Sequence, residues 1–252
     1  MRFRNKVAVI TGGNSGIGLA TARAFVREGA QVALLGRSET TLEQARRELG
    51  GATLTVRGDV RRLPDLERLF SETTRALGKI DILVANAGVA RFAPLETLSE
   101  ELFDEVSGVN FKGAFFTVQR ALPHLRDGSA VVLVGTADAE RQGRPMTSIY
   151  SASKAAVRAL ARSMSAELMP RRIRVNVLSP GMTDTPIITR SGGLPGATPE
   201  EIAQAITATI PMRRRGRPEE MASAILFLCS DEASYFIGAE LTPDGGLTQI
   251  VV

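Results

Sequence analysis

The sequence predicts an α/β protein whose doubly wound parallel sheet is covered by helices on both faces. Short β-branched runs alternate with helical patterns along the chain, as in proteins built from strand–helix–strand units. The runs are apolar throughout instead of alternating, which is typical of strands buried on both faces. With 252 residues, 44% of them hydrophobic, the chain can bury a substantial core, and we expect one domain over residues 1–252.

Seven segments are predicted strands, in this order: KVAVIT (6–11), QVALLG (31–36), ATLTVRGDV (52–60), IDILVANAG (80–88), SAVVLVGT (129–136), IRVNVLSPG (173–181) and AELTPDGG (239–246). Five longer segments are predicted helices: GIGLATARAFVREG (16–29), LPDLERLFSETTRAL (63–77), one long helix over 99–125, the helix that contains YSASK (150–154), and RPEEMASAILFLCS (217–230). The alternation of these strands and helices indicates a parallel, doubly wound sheet.

One segment, from Pro186 to Gly216, interrupts this order with Gly/Pro-rich connections and a short helix. Thr198 is the predicted N-cap of that helix, Pro199 its first residue, and Glu201 completes a capping box. Long irregular segments in compact domains are usually functional. We therefore predict a small lid insertion over the carboxyl ends of the strands, with a plain surface insertion as the alternative.

Charge and composition argue against several other classes of protein. The net charge is +4, but the 31 basic residues are scattered among 27 acids, Trp is absent and Tyr occurs twice, so no basic face with aromatic platforms for nucleic acid is predicted. One His and one Cys provide neither a metal site nor a Ser-His-Asp arrangement. The lone cysteine and the short apolar run near the start predict a soluble, cytoplasmic protein that does not enter a membrane.

A glycine-rich loop follows the first predicted strand. In TGGNSGIG (11–18), Gly12, Gly16 and Gly18 let backbone N–H groups approach a pyrophosphate at the start of the next helix, where the helix dipole favours negative charge. Such loops are common, but the position of this one between a strand and a helix is that of a dinucleotide site. Its spacing differs from GxGxxG, since three residues separate Gly12 from Gly16.

The end of the second strand predicts which dinucleotide binds. A site of this type holds the ribose with an acid about 20 residues after the glycines, or accommodates a 2′-phosphate with arginine. Here Gly36 stands where the acid would be, and Arg37 follows it. Because a guanidinium binds phosphate through paired donors, we expect NADP(H) rather than NAD(H). A merely solvent-exposed Arg37 is the alternative, and Glu39 is a weaker candidate for a ribose contact.

Taken together, these pieces resemble the short-chain dehydrogenase/reductase family over nearly the whole chain. The matching motifs are TGGNSGIG, GDV (58–60), NAG (86–88), VN (109–110), YSASK, SPGMTDTP (179–186), PMRRRGRPEE (211–220) and DGG (244–246), in the family's order and spacing. The resemblance implies a three-layer Rossmann fold with a seven-stranded parallel sheet. It also implies a homodimer or homotetramer that moves hydride between a nicotinamide and a small carbonyl or alcohol.

The resemblance assigns roles to individual residues. Tyr150 is the general acid/base, Lys154 binds the nicotinamide ribose, and Asn110 supports a proton-relay water. Asp59 and Val60 hold the adenine, Asn86 and Gly88 line the ribose, and Thr185 touches the carboxamide end. The remaining residues that it implies in cofactor binding are Gly12, Asn14, Ser15, Gly16, Ile17, Gly18, Pro180, Gly181 and Thr183.

Physical chemistry supports the role of Tyr150 independently. A free phenol titrates near pH ~10 and is a poor acid or base at neutrality. Tyr150 and Lys154 are four residues apart on a predicted helix and therefore share a face. A fixed ammonium, together with the positive ring of the oxidised cofactor, favours the phenolate and lowers the pKa of the phenol. Tyr150 then becomes a usable acid for reduction and a usable base for oxidation.

The sequence departs from the family pattern at the end of the fifth strand. The family usually has a serine thirteen residues before the tyrosine, where this chain has Ala137. Thr136 precedes it and offers the same donor and acceptor. Either the loop carries one extra residue and Thr136 takes the place of the serine, or the hydroxyl is lost and Tyr150 alone polarises the carbonyl. We favour Thr136, because VVLVGT aligns without a gap up to that residue.

The leading hypothesis is an NADP(H)-dependent oxidoreductase for a ketone or secondary alcohol. Within this class, reduction of a 3-oxoacyl thioester on an acyl carrier protein is an alternative, in which the arginines at 213–215 could meet a phosphorylated carrier. From a different class, the chain could be a catalytically weakened, cofactor-binding regulatory protein. The altered region at Thr136 and Ala137 is the feature that favours this last reading.

Overall fold

The structure is a computed structural model that describes residues 1–51, 53–137, 143–187 and 198–250. Its seven strands are β1 (Val7–Thr11), β2 (Gln31–Gly36), β3 (Thr53–Arg57), β4 (Ile80–Ala85), β5 (Leu125–Val134), β6 (Arg174–Leu178) and β7 (Glu240–Leu241). The principal helices are α1 (Gly16–Arg27), α2 (Glu39–Leu49), α3 (Leu63–Leu77), α4 (Glu100–Ser107), α5 (Gly113–Ala121), α6 (Ser148–Leu168), α7 (Pro199–Thr209) and α8 (Pro218–Cys229).

The strands form one sheet in the order β3-β2-β1-β4-β5-β6-β7, and every neighbouring pair is parallel. This confirms the predicted doubly wound α/β fold with seven parallel strands. The strand order reverses between β1 and β4, where the connections leave in opposite directions. Ligands of open α/β sheets bind in the crevice that such a reversal opens at the carboxyl ends of the strands.

Neighbouring residues of each strand belong to opposite layers of the core. Val9 of β1 packs in a cluster with α3, α4, α5 and α6, whereas Ile10 packs in a second cluster with α1, α2 and α8. Both residues are fully buried. Because both faces of the sheet are covered, the central strands β1 and β2 are apolar at nearly every position, as the sequence pattern predicts.

Several predicted boundaries are confirmed and others were wrong; β3, β4 and β6 end three residues, and β7 five residues, before the predicted limits. β2 and α3 have the predicted limits, but α2 was not predicted, and β5 begins at Leu125, four residues earlier than expected. The long helix predicted over 99–125 is divided by a π-helical turn, Gly108–Lys112, and ends at Ala121. None of the described helices combines the length and the apolar composition needed to span a bilayer.

Candidate active site

A cavity of about 810 Å³ lies at the carboxyl ends of the central strands. It runs from the loop after β2, past the loops after β1 and β4, to the start of α6. The sequence-predicted residues that line it are Gly12, Asn14, Ser15, Gly16, Ile17, Arg37, Asp59, Val60, Asn86, Gly88, Thr136, Tyr150, Lys154, Pro180, Gly181, Thr183 and Thr185. Two predicted residues, Gly18 and Asn110, lie behind its wall.

The glycine loop opens onto the cavity at the start of α1. Gly12 and Gly16 have φ angles of 65° and 52°, which a residue with a side chain adopts only at a cost. A Cβ atom on Gly18 would lie 2.3 Å from the carbonyl oxygen of Gly12, so Gly18 permits the loop to close onto the helix. The N-cap Ser15 makes no side-chain capping bond, and the first turn of α1 contains no acid. This helix end suits an anionic group.

Asn86 joins the loops that follow β1 and β4. Its side-chain Nδ2 donates to the carbonyl oxygens of Thr11 and Gly12, at 3.0 and 3.2 Å. In return, the hydroxyl of Thr11 accepts from the backbone N–H groups of Asn86 and Ala87, both at 3.1 Å. The side chain of Asn86 therefore fixes the shape of the crevice floor, in addition to lining it.

Asn14 and Arg37 form the end of the cavity beside β2. The carboxamide of Asn14 covers Gly36, where a Cβ atom would lie 2.6 Å from Oδ1, and its Nδ2 donates to Thr41 Oγ1 at 2.6 Å. Arg37 follows as an exposed residue on the cavity lining. A guanidinium at this end suits a phosphate on the ribose.

Glu39, the weaker candidate for a ribose contact, is engaged elsewhere. Its carboxylate pairs with Arg57 at 3.3 Å, and both side chains are largely exposed. It does not line the cavity.

Asp59 lies at the same end, after β3. Its backbone N–H donates to Asp65 Oδ2 at 3.0 Å, and its carboxylate accepts from the guanidinium and backbone N–H of Arg61. Burial alone would raise the pKa of Asp59, but the hydrogen bonds and charge of Arg61, with the charge of Arg37, lower it. Asp59 is therefore ionised at neutral pH and can accept a hydrogen bond from a ligand.

Lys154 is a buried cation at the centre of the cavity wall. Its Nζ donates to the carbonyl oxygen of Val134 at 2.7 Å, and the residue is 5% exposed. Burial lowers the pKa of this ammonium from 10.5 to about 8. A Cβ atom on Gly88 would lie 3.3 Å from Nζ, so the absence of a side chain there keeps the space beside the ammonium open.

Asn110 connects three elements around Lys154. It is fully buried in the π-helical turn, where its Oδ1 accepts from Val89 N and its Nδ2 donates to Val89 O, both at 2.9 Å. The same Nδ2 donates to Ser153 Oγ at 3.2 Å, on the helix that carries Tyr150 and Lys154. π-helical turns occur frequently at functional sites. Here the turn aims the amide at the loop after β4.

Tyr150 and Thr136 face the cavity near Lys154. The ring of Tyr150 contacts Phe92 edge-to-face, with 5.8 Å between the ring centroids. Thr136 is on the lining and 8% exposed, whereas Ala137 is buried off the lining, with its N–H donating to Pro180 O at 2.9 Å. Of the two positions, Thr136 is therefore the one that lines the cavity and carries a hydroxyl.

The segment from Pro186 to Gly216 leaves and rejoins the domain at one place. Thr183 bridges Gly216, Asp184 N donates to Gly216 O at 2.9 Å, and Gly216 N donates to Met182 O at 2.9 Å. Residues 188–197 of the predicted lid lie outside the described residues. α7 begins with the predicted Thr198–Glu201 capping box and lines the cavity with Ile202, Ala203 and Ile206.

The arginines at 213–215 contact acids or backbone of their own surroundings. Arg214 binds both carboxylate oxygens of Glu220, at 2.9 and 2.8 Å, and Arg215 pairs with Glu200 and Asp184. Arg213 donates to the carbonyl of Ala208. None of the three lines the cavity. The idea that they form a docking surface for a phosphorylated carrier has no support in these contacts.

Sequence reasoning missed part of the lining. Ala90, Arg91 and Phe92 follow the NAG motif, and Arg144 and Thr147 precede Tyr150, but no motif marks them. Their proximity to the catalytic candidates in sequence was the only available signal. Among the described residues, His, Cys, Asp and Glu form no group that could hold a metal ion.

Comparisons of the sequence with known proteins point to one family of enzymes. A family model described as Enoyl-(Acyl carrier protein) reductase matches residues 12–248. The chain is 40% identical to the oxidoreductase asL5 of Sarocladium schorii over 251 residues, which cover 99% of this chain and 98% of that protein. It is 37% identical to the 3-oxoacyl-[acyl-carrier-protein] reductase FabG of Thermotoga maritima, over 98% and 99% of the two chains.

Solved structures agree with the sequence comparisons. The crystal structure of a levodione reductase superposes with a TM-score of 0.93 at 32% identity, over 99% of this chain and all of that one. The matched regions include the glycine loop, the strand ends and the helix with Tyr150 and Lys154. The chain therefore belongs to the short-chain dehydrogenase/reductase family, whose members are oxidoreductases that use nicotinamide cofactors.

Proposed function

We propose that the protein is an NADP(H)-dependent oxidoreductase that interconverts a ketone and a secondary alcohol, with Tyr150 as general acid/base. The observation that carries this proposal is the arrangement on α6. Tyr150 and Lys154 both face the cavity, and the ammonium of Lys154 is held at Val134 O, 2.7 Å away. A buried cation one helical turn from a phenol stabilises the phenolate, which makes the phenol a better acid.

The residues along the cavity fit a dinucleotide. The open start of α1 and the backbone of Gly12 to Ile17 would hold the pyrophosphate, and Asp59 and Val60 the adenine. Lys154 and Gly88 would hold the nicotinamide ribose, with Pro180, Gly181, Thr183 and Thr185 at the carboxamide end. When bound, the cofactor supplies or accepts the hydride.

The chain's own residues then handle the oxygen and its proton. In reduction, Tyr150 donates a proton to the carbonyl oxygen, and in oxidation its phenolate accepts that proton from the alcohol. Thr136 supplies a second hydrogen bond to the same oxygen, which stabilises the charge that develops there. Asn110 has an indirect, positioning role, because its hydrogen bonds hold the loop at Val89 and helix α6 at Ser153.

The preference for NADP(H) rests on Arg37. Its guanidinium is exposed at the end of the cavity beside Gly36, and the Asn14 carboxamide fills the space of the acid that would hold an unphosphorylated ribose. A guanidinium binds phosphate through paired, charge-assisted bonds.

Two alternatives remain part of the proposal. Reduction of a 3-oxoacyl thioester is favoured by the 37% identity to a 3-oxoacyl-[acyl-carrier-protein] reductase. A catalytically weakened regulatory protein is favoured by the altered position Ala137, but the presence of Thr136, Tyr150 and Lys154 on one cavity wall argues against it.

The test is a panel of ketones, 3-oxoacyl thioesters and secondary alcohols, run with NADPH and with NADH, on the wild type and on Tyr150→Phe. We expect saturable oxidation of NADPH with at least one carbonyl, and a loss of about a hundredfold or more in kcat for Tyr150→Phe. Cofactor affinity, measured by NADPH fluorescence, should remain within a few-fold in the variant. Binding of NADPH without turnover of any compound, unchanged by Tyr150→Phe, would favour the regulatory alternative.

The proposal includes a homodimer or homotetramer in the cytoplasm. Phe103 and Phe111, on α4 and the π-helical turn, are 48% and 40% exposed and offer an apolar face to a second copy. The lone cysteine, Cys229, fits a reducing compartment. Light scattering of the purified protein measures the number of subunits.

A further inference from the structure

Ser153 is a buried serine on α6, between the two catalytic candidates Tyr150 and Lys154. It is 4% exposed and does not line the cavity. Its hydroxyl donates to the carbonyl oxygen of Tyr150 at 2.7 Å and accepts from Asn110 Nδ2 at 3.2 Å. In a regular helix, the same carbonyl oxygen accepts from the backbone N–H of Lys154, four residues further on. The hydroxyl therefore binds the helical turn that connects Tyr150 to Lys154.

The direction of these hydrogen bonds is fixed by Val89. Its backbone N–H donates to Asn110 Oδ1 at 2.9 Å, so the amide oxygen of Asn110 lies on that side. The amide nitrogen faces Val89 O and Ser153. Because an amide nitrogen only donates, the hydroxyl of Ser153 accepts from it and gives its one proton to Tyr150 O. Asn110 and Ser153 thus form a continuous chain of bonds from the loop after β4 to α6.

The first turn of α6 depends on such bonds to other elements. The N-cap residue Thr147 makes no side-chain capping bond, and its hydroxyl donates instead to Arg144 O. Helix ends fray where their backbone groups are not held. The bond from Lys154 Nζ to Val134 O ties this turn to β5. The bond between Ser153 and Asn110 ties the same turn to the loop after β4, from a second direction.

The hydroxyl of Ser153 contributes little to helix formation itself. Alanine is more favourable than serine in the interior of a helix, and it brings no polar group that burial would leave in need of a partner. What the hydroxyl adds at this position is the link between Asn110 and the backbone of Tyr150.

On the basis of the proposed function, we propose that Ser153 is a positioning residue for the reaction, because its hydroxyl links Asn110 to the first turn of α6 and so holds the phenol of Tyr150 in place for proton transfer. Ser153 acts through the backbone of Tyr150 and touches neither substrate nor cofactor. A displacement of about 1 Å in a reacting group can lower a rate by about a hundredfold, so a link of this kind affects the chemical step.

The test compares Ser153→Ala with the wild type, using NADPH and the best ketone of the panel. Steady-state kinetics give kcat and KM, and a single turnover with enzyme in excess over NADPH gives the rate of the chemical step. We expect kcat and the single-turnover rate to fall by about ten- to a hundredfold. KM for the ketone and the affinity for NADPH should stay within about threefold, because no binding contact is removed.

Ser165→Ala is the matched control. Ser165 lies on the same helix, is 3% exposed and does not line the cavity, and its hydroxyl donates to Val175 O on β6 at 2.8 Å. The control therefore also loses one buried serine hydroxyl that holds α6 to a neighbouring element. Denaturant unfolding should show comparable losses of stability in the two variants, while kcat of Ser165→Ala stays within about twofold of the wild type. Equal losses of kcat in both variants would mean a general loosening of α6 and would overturn the positioning role.

A double-mutant cycle tests the link to Asn110. In the Asn110→Ala background the link is already broken, so adding Ser153→Ala should lower kcat by no more than about twofold. A further loss as large as that of Ser153→Ala alone would show that the hydroxyl acts independently of Asn110, contrary to the proposal.

The outcomes also distinguish this inference from the proposed function. An unchanged kcat and single-turnover rate in Ser153→Ala would refute the positioning role and leave a working ketone reductase. Absence of turnover by the wild type with every carbonyl would overturn the proposed function and the inference with it.

Discussion

The ammonium nitrogen of Lys154 donates a 2.7 Å hydrogen bond to the carbonyl oxygen of Val134, the last residue of β5. This bond joins the helix that carries Tyr150 to the strand that ends two residues before Thr136. The bond also keeps a charge inside the protein. Burial destabilises this charge, and the pKa of Lys154 is therefore lowered to about 8. The site thus holds a destabilising group where, in the proposed mechanism, its charge assists Tyr150.

We expect Lys154→Met to abolish turnover and to be at least as stable as the wild type at pH 7. A pKa that falls from 10.5 to about 8 on folding corresponds to a burial cost of about 3 kcal/mol, which the variant does not have. The variant leaves the Val134 carbonyl unpaired, and this loss of about 1–3 kcal/mol offsets part or most of the gain. Denaturant unfolding of both proteins, with NADPH oxidation as the activity assay, measures the two effects.

The same pair of proteins should differ in pH dependence. Between the folded pKa of about 8 and the unfolded pKa of 10.5, the unfolded chain binds more protons at Lys154, so the free energy of unfolding of the wild type gains from rising pH. Below about pH 8 this gain is absent. The stability difference, wild type minus Lys154→Met, should therefore increase from pH 8 to 10. Parallel curves would show that the buried ammonium is not destabilised.

Thr136→Ala should lower kcat by about ten- to a thousandfold, because a donor to the developing oxyanion is lost. Thr136→Ser keeps the hydroxyl and should stay within a few-fold of the wild type. Because Ala137 is buried and does not line the cavity, adding Ala137→Ser to Thr136→Ala should not restore the rate. Rescue by that second change would mean that the hydroxyl belongs at 137. An unchanged kcat in Thr136→Ala would leave carbonyl polarisation to Tyr150 alone.

Elements with strong local signals could be predicted from the sequence. α3 begins with Leu63 and Pro64 and ends before Gly78, and both its limits were predicted, because the Pro and Gly restrict the backbone at its two ends. α2 was missed because its apolar stripe consists of only Leu42, Ala45 and Leu49, in a segment otherwise rich in charge.

The π-helical turn could not be predicted. Its hydrogen bonds are local, but Asn110 is held by Val89 on another loop and by Ser153 on another helix, and these partners come together only in the folded chain. The lining of the cavity shows the same limit. Arginines 213–215 formed the conspicuous basic run, yet the cavity is lined by Arg91 and Arg144, which are brought together by the contact between residues 93 and 146.

Arg37→Ala should raise KM for NADPH by about ten- to a hundredfold and leave KM for NADH nearly unchanged, because only the phosphorylated ribose loses a charge-assisted contact. Arg57→Ala is the matched control. That arginine is also exposed and close in the fold, but it pairs with Glu39 and does not line the cavity. Equal effects of Arg37→Ala on both cofactors would place the arginine at the adenine and remove the argument for NADP(H).

Arg215→Gln should raise KM for the carbonyl substrate several-fold with little effect on cofactor affinity. Arg215 is 19% exposed and ties the start of α7 to the base of the proposed lid, through Glu200 and Asp184, while its Nε donates to Thr207 Oγ1 at 3.3 Å. Loss of these bonds leaves α7 less firmly held over the cavity, and hydrogen exchange in α7 should increase. The control is Arg214→Gln, whose arginine pairs with Glu220 on α8 and should leave KM unchanged. Faster exchange in α7 with an unaltered KM would show that this helix does not contact the substrate.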